Sequence, residues 1–99
     1  MGIRNFKNKG TEDINYGRNS KDALKILPKM LHRKARVKLA RLGAATSMQD
    51  LREIRGNRLE MLKGNRKGQY SIRINDQYRV CFRWENKQAT DVEIGDYHS

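Results

Sequence analysis

The chain has 99 residues, with 22 Lys and Arg against 11 Asp and Glu, a formal charge of +11 and one cysteine. A chain this short buries roughly 60–65% of its unfolded surface, which allows one modest core and excludes two domains. The lone Cys81 excludes an internal disulfide, and no stretch reaches the ~18–20 apolar residues of a membrane span. The expectation is a single domain over residues 1–99, monomeric alone, with one sheet and one or two helices, without a signal segment, in the reducing cytoplasm. The cationic excess points to a polyanionic partner but does not choose among RNA, DNA and an acidic protein.

Along the chain, Ile3-Arg4-Asn5-Phe6-Lys7 reads as a short strand, although Ile3 and Phe6 do not share one strict face. Gly10 and Gly17 bracket a short polar turn or helix, Thr11 to Tyr16. Pro28 suits a first helical position, so the main helix is expected from there to about Gly43. Leu31, Ala35, Leu39 and Leu42 form its apolar stripe, while Lys29, Arg33, Lys34, Arg36, Lys38 and Arg41 are expected on the faces turned to water. No acid between residues 28 and 43 relieves their repulsion, so this is either a solvated face or one that meets an anion. Ser47 and Asp50 have capping-box spacing, predicting a second short helix through Leu51 and Ile54 that Gly56 closes.

From residue 58 the pattern alternates. Tyr70, Ile72 and Ile74 share one face, as do Tyr78, Val80, Phe82 and Trp84, with Asn75-Asp76-Gln77 as the turn. A three-residue loop sets Ile74 against Tyr78, Ile72 against Val80 and Tyr70 against Phe82, whereas a two-residue loop opposes apolar and charged side chains. That register places Arg73 opposite Arg79 and Gln69 opposite Arg83, a costly concentration of like charge with no acid on either strand placed to pair with both arginines. A row of guanidinium forks suits phosphate, and snorkelling stems over apolar surface are the plainer alternative. Thr90-Asp91-Val92-Glu93-Ile94 alternates as a further strand.

Several residues around this sheet are able to carry chemistry. The loop Lys63-Gly64-Asn65-Arg66-Lys67-Gly68 is basic and permits close approach of its backbone, which makes Arg66 and Lys67 RNA-binding candidates beside Arg73 and Arg83. Glu60 is a carboxylate in an otherwise apolar run, either a general base or a surface partner for an arginine. Beyond the last strand lie Asp96, Tyr97 and His98, three groups that hold or move a proton. Cleaving RNA requires a group to take the proton from the 2′-hydroxyl, one to protonate the departing 5′-oxygen, and cations around the phosphorus. His98 oriented by Asp96, a stacking or phenolic Tyr97, and Arg79, Arg73 and Lys63 on the phosphate would fill those roles. Two histidines and scattered acids lack metal-ligand spacing, His32 has no nucleophile attached, and no cofactor is expected.

Asn57-Arg58-Leu59-Glu60, Leu62-Lys63-Gly64-Asn65-Arg66, Tyr70-Ser71-Ile72-Arg73-Ile74-Asn75, Tyr78-Arg79-Val80-Cys81-Phe82 and Ile94-Gly95-Asp96-Tyr97-His98 together resemble the HigB toxins, the plasmid-maintenance killer-protein branch of the RelE/ParE superfamily. The resemblance implies an α+β fold, a curved and mostly antiparallel sheet packed against N-terminal helices. It also implies a bacterial toxin that cleaves messenger RNA on the 70S ribosome without a metal and is neutralised by a helix-turn-helix, HigA-like antitoxin, through which it would reach operator DNA. Carried over by position, the functional residues are Lys63, Arg79, Asp96, Tyr97 and His98; where this chain has Glu60, some members have histidine. Two alternatives stand beside this reading: a toxin of the same fold that acts on DNA gyrase, and a non-catalytic basic nucleic-acid-binding module.

Overall fold

A computed structural model describes residues 2–96. The first helices start on side-chain caps. Asn8 Oδ1 accepts from the Thr11 amide at 2.9 Å to open α1 (Lys9–Asn15), and Ser20 Oγ accepts from the Ala23 amide at 3.0 Å to open α2 (Lys21–Ile26). Such caps contribute about 1 kcal/mol each by satisfying otherwise orphaned amides. The two helices approach closely at Gly10, where a Cβ would lie 2.6 Å from the carbonyl oxygen of Asp22. Asp13, with no exposed surface, stitches the same corner by accepting from Ser20 Oγ at 2.6 Å, Arg18 Nη1 at 3.1 Å and Lys9 Nζ at 3.4 Å.

Pro28 precedes a 3-10 turn, Lys29–Leu31, that leads into α3 (His32–Ala44). The predicted stripe is observed: Ala35, Leu39 and Leu42 are fully buried and Leu31 packs against them. Lys38 departs from expectation. It lies on the buried side, and its Nζ donates to Asn57 Oδ1 at 2.9 Å. Ser47 caps α4 (Met48–Glu53) by accepting from the Asp50 amide at 3.2 Å, while the Asp50 carboxylate turns back to Thr46.

The sheet is antiparallel in the order β1 (Glu60–Met61), β2 (Tyr70–Arg73), β3 (Tyr78–Glu85), β4 (Gln88–Asp96). The β2–β3 register is the expected one, with Tyr70 opposite Phe82, Ile72 opposite Val80 and Arg73 opposite Arg79. Asn75 Oδ1 holds that turn by accepting from the amides of Gln77 at 2.9 Å and Tyr78 at 2.7 Å. Asn86 and Lys87, both at positive φ, make the two-residue turn into β4, matching the twist of the strands they join. A register shift between Cys81 and Arg83 bulges the β3–β4 pair. The expected first strand is reduced to two isolated parallel bridges, Ile3 to Ala89 and Phe6 to Val92, which cover the outer edge of β4.

Ile72, Ile74, Val80 and Phe82 turn one face of the sheet to Ile14, Leu39, Leu42 and Leu51 of the helices, forming the core of an α+β fold. By the two-residue period, Ser71, Arg73, Arg79 and Cys81 belong to the opposite face. Among the described residues no helix is long and apolar enough to cross a membrane.

Candidate active site

On that opposite face Ser71, Arg79 and Cys81 line a cavity of about 140 Å³ with Leu62 and Arg66 of the β1–β2 connection and Gly95 and Asp96 of β4. Arg79 is its most constrained member, a charged side chain only 5% exposed. A buried cation is tolerated only when its N–H groups find acceptors. Arg79 Nε donates to Ser71 Oγ at 2.7 Å, and Nη2 donates to the Ser71 carbonyl at 3.2 Å and to the Arg58 carbonyl. Glu60 brings a carboxylate oxygen to 3.8 Å from Nη1, because β1 pairs Glu60 directly with Ser71.

Arg66 enters from the 3-10 turn Gly64–Arg66, its Nη2 donating to Glu93 Oε1 at 2.7 Å and to Gln69 Oε1 at 3.3 Å. Lys7 Nζ stands 3.6 Å from the same Glu93 oxygen. Asp96 Oδ2 accepts from Gln77 Nε2 at 2.8 Å, which fixes the carboxylate at the end of β4. Burial in the cavity wall pushes the Cys81 thiol above its ordinary range, keeping it protonated and a poor nucleophile.

Of the residues singled out from sequence, Arg66, Arg79 and Asp96 meet at this cavity and Glu60 stands beside it. Lys63 and Lys67 are exposed on the connection and are not among the lining residues. The arginine row meets acids from outside its own two strands. Arg73 stands opposite Arg79 as expected, while the β2–β3 pairing stops at Tyr70, short of Gln69 and Arg83, and each arginine has an acid supplied from elsewhere: Arg73 pairs with Asp76 of the turn, Arg79 with Glu60 of β1 and Arg83 with Asp91 of β4 at 3.8 Å. The cationic face is therefore compensated, and its one deeply buried charge is Arg79. Tyr97 and His98 lie outside the described residues.

Leu62, Ser71, Gly95 and the carbonyl of Arg58 escaped the reading of the sequence. Alternation alone places Ser71 on the face of Arg73 and Arg79, so its share in the cavity was available from the register. The Arg58 carbonyl had no comparable signal.

A basic α+β domain with helices on one sheet face and a cavity around a bonded arginine on the other has the frame of a RelE-like toxin. Residues 4–98 match the family described as "RelE-like toxin of type II toxin-antitoxin system HigB", and the chain belongs to that family. It is 45% identical over 70 residues to "Toxin HigB-1" of Vibrio cholerae serotype O1, spanning 71% of this chain and 74% of that protein. It is also 34% identical over 73 residues to an uncharacterized protein of Haemophilus influenzae, spanning 74% of this chain and 71% of the other. Membership of a type II system implies an antitoxin as partner.

Proposed function

We propose that the protein is a ribosome-dependent endonuclease that cuts messenger RNA without a metal and so arrests translation. The observation that carries this reading is Arg79: a buried guanidinium, held by Ser71 and Arg58, that fixes positive charge in the wall of a small cavity also lined by Asp96. Charge fixed before the reaction begins stabilises a phosphate in flight without reorganising during the step. The 2′-oxygen attacks phosphorus as its proton passes to a base, and the 5′-oxygen leaves with a proton from an acid. The products are a 2′,3′-cyclic phosphate and a free 5′-hydroxyl.

Glu60 and His98 take the two proton-transfer roles, Asp96 orients the imidazole, and Tyr97 stacks on a base. Arg66 adds a second charge at the cavity, while Lys63, Lys67, Arg73 and Arg83 hold the RNA strand on either side. The HigB family supports a helix-turn-helix antitoxin and, through it, contact with operator DNA.

Primer extension on a defined message in a purified translation system tests this, comparing the wild type with His98→Ala and Arg79→Lys. The expected result is cuts inside codons only when ribosomes are present, with both variants slower by at least ~10²-fold because each removes a group that acts in the transition state. An intact message under wild-type protein, or cutting that persists in His98→Ala, overturns the proposal.

A further inference from the structure

Behind the cavity, two hydrogen bonds joined through the Asn57–Arg58 backbone link α3 to Arg79. Asn57 has no exposed surface, yet it contacts three elements. Its Oδ1 accepts from Lys38 Nζ of α3 at 2.9 Å, its Nδ2 donates to the Leu51 carbonyl of α4 at 3.1 Å, and its own carbonyl accepts from the Arg73 amide of β2 at 2.6 Å. The next residue, Arg58, has a φ of 45°, a left-handed conformation that is strained for an L-residue. That conformation accompanies the delivery of its carbonyl to Arg79 Nη2. A strained residue persists where its surroundings over-determine it, and here Asn57 supplies the restraint on one side while Arg79 takes the carbonyl on the other.

We infer that Lys38 and Asn57 are positioning residues for Arg79: the buried Lys38–Asn57 bond fixes the strained turn whose carbonyl orients the guanidinium in the cavity.

Lys38 is poorly explained by stability alone. Burial depresses its ammonium below the ordinary lysine range, and Arg41, Lys34 and Arg73 add repulsion in the same direction. An apolar side chain fills such a site without that desolvation cost, and buried charges are retained in some proteins for the geometry they impose. The acceptor it satisfies belongs to Asn57, which ties α3, α4 and β2 to the Arg58 turn.

The functional half of this inference rests on the proposed nuclease activity; the geometric half does not, and the experiment separates them. In the full-length protein, NMR reads hydrogen exchange at Arg79 Nε–H beside the backbone amides of Val80 and Phe82. Lys38→Met is expected to speed exchange at Arg79 Nε–H by at least about tenfold relative to those amides, because local opening separates from global opening. Val92→Ala, a core truncation on β4, serves as the control and is expected to move all three together. Should Lys38→Met not fold, Asn57→Ser breaks the same bond from the other side. In the cleavage assay Lys38→Met is expected to lower kcat about tenfold with KM nearly unchanged, the mark of a misplaced transition-state group.

Arg79 Nε–H exchanging in step with Val80 and Phe82 in Lys38→Met overturns the inference, as does loosened exchange with kcat unchanged. A wild type that cuts nothing counts against the nuclease reading, and the exchange ratio then decides the geometric claim alone.

Discussion

Asp13 and Arg79 carry opposite charges, and each is buried in a web of bonds that sets its role. For Asp13 the Ser20 hydroxyl does most to hold the carboxyl below its ordinary value of 3.8; Arg18 and Lys9 act in the same direction, and burial opposes them. A carboxylate whose value is depressed by folding stabilises the native state above the unfolded value, and that stability is lost as pH falls through the folded one. Urea midpoints of the wild type are therefore expected to drop as the solution is acidified below about pH 4. Asp13→Asn should be less stable at pH 7 and show a shallower acid dependence; an unchanged slope would show that other carboxylates carry it. Arg79 was legible in the sequence as a candidate because its register put it opposite Arg73. Its burial was not, since the Arg58 carbonyl and the Glu60 carboxylate come from outside the β2–β3 hairpin, on segments whose placement beside Arg79 no local pattern encodes.

Among the elements, the β2–β3 hairpin was readable to the residue, because only one register keeps Tyr70, Ile72, Val80 and Phe82 on a common face. Helix α2 was missed for the converse reason. Ala23, Ile26 and Leu27 do share a core-facing stripe, but the helix is only six residues long and Leu24 beside that stripe remains 48% exposed, so the period is too short to stand out next to the Ser20 cap. Its position depends on Gly10 of α1. Gly10→Ala places a methyl against the Asp22 backbone, which cannot yield as a flexible side chain does, and is expected to cost about 1–3 kcal/mol in thermal or urea unfolding. Gly43→Ala in α3 is the matched contrast, since its Cβ meets Gly2 and Ile3 only at ordinary contact distances of 3.9 Å. Improved helix propensity there is expected to leave stability equal or up to about 1 kcal/mol higher. Equal losses in the two variants would deny the close approach of α1 and α2.

Over the whole molecule, the +11 charge is not spread as the sequence suggested. Acids from β1, the β2–β3 turn and β4 pair with the sheet arginines, while Arg33, Lys34 and Arg41 on α3 form no ion pair among the described residues. For Arg79 and Arg83 that compensation was beyond local reading, because Glu60 and Asp91 meet them only after the sheet has formed, whereas Asp76 lies three residues from Arg73. It leaves Arg33, Lys34 and Arg41 of α3 as an uncompensated surface that suits a polyanion. If the proposed ribosomal activity holds, affinity for ribosomes, measured by co-sedimentation, is expected to fall at least about tenfold between roughly 50 and 200 mM salt. Arg33→Glu combined with Arg41→Glu should flatten that dependence, and a salt response untouched by the pair would relocate the contact.

The sheet also joins distant parts of the chain. Ile3 and Phe6 bridge to Ala89 and Val92 on β4, and β4 in turn brings Gly95 and Asp96 to a cavity whose other walls are Leu62, Arg66, Ser71, Arg79 and Cys81. Closing a loop of that length gains its contacts only late in folding. During synthesis the helices and the β2–β3 hairpin emerge first, and the cavity lacks a wall until residue 96 has cleared the exit tunnel. A growing chain therefore has no finished cavity until β4 is free to pair.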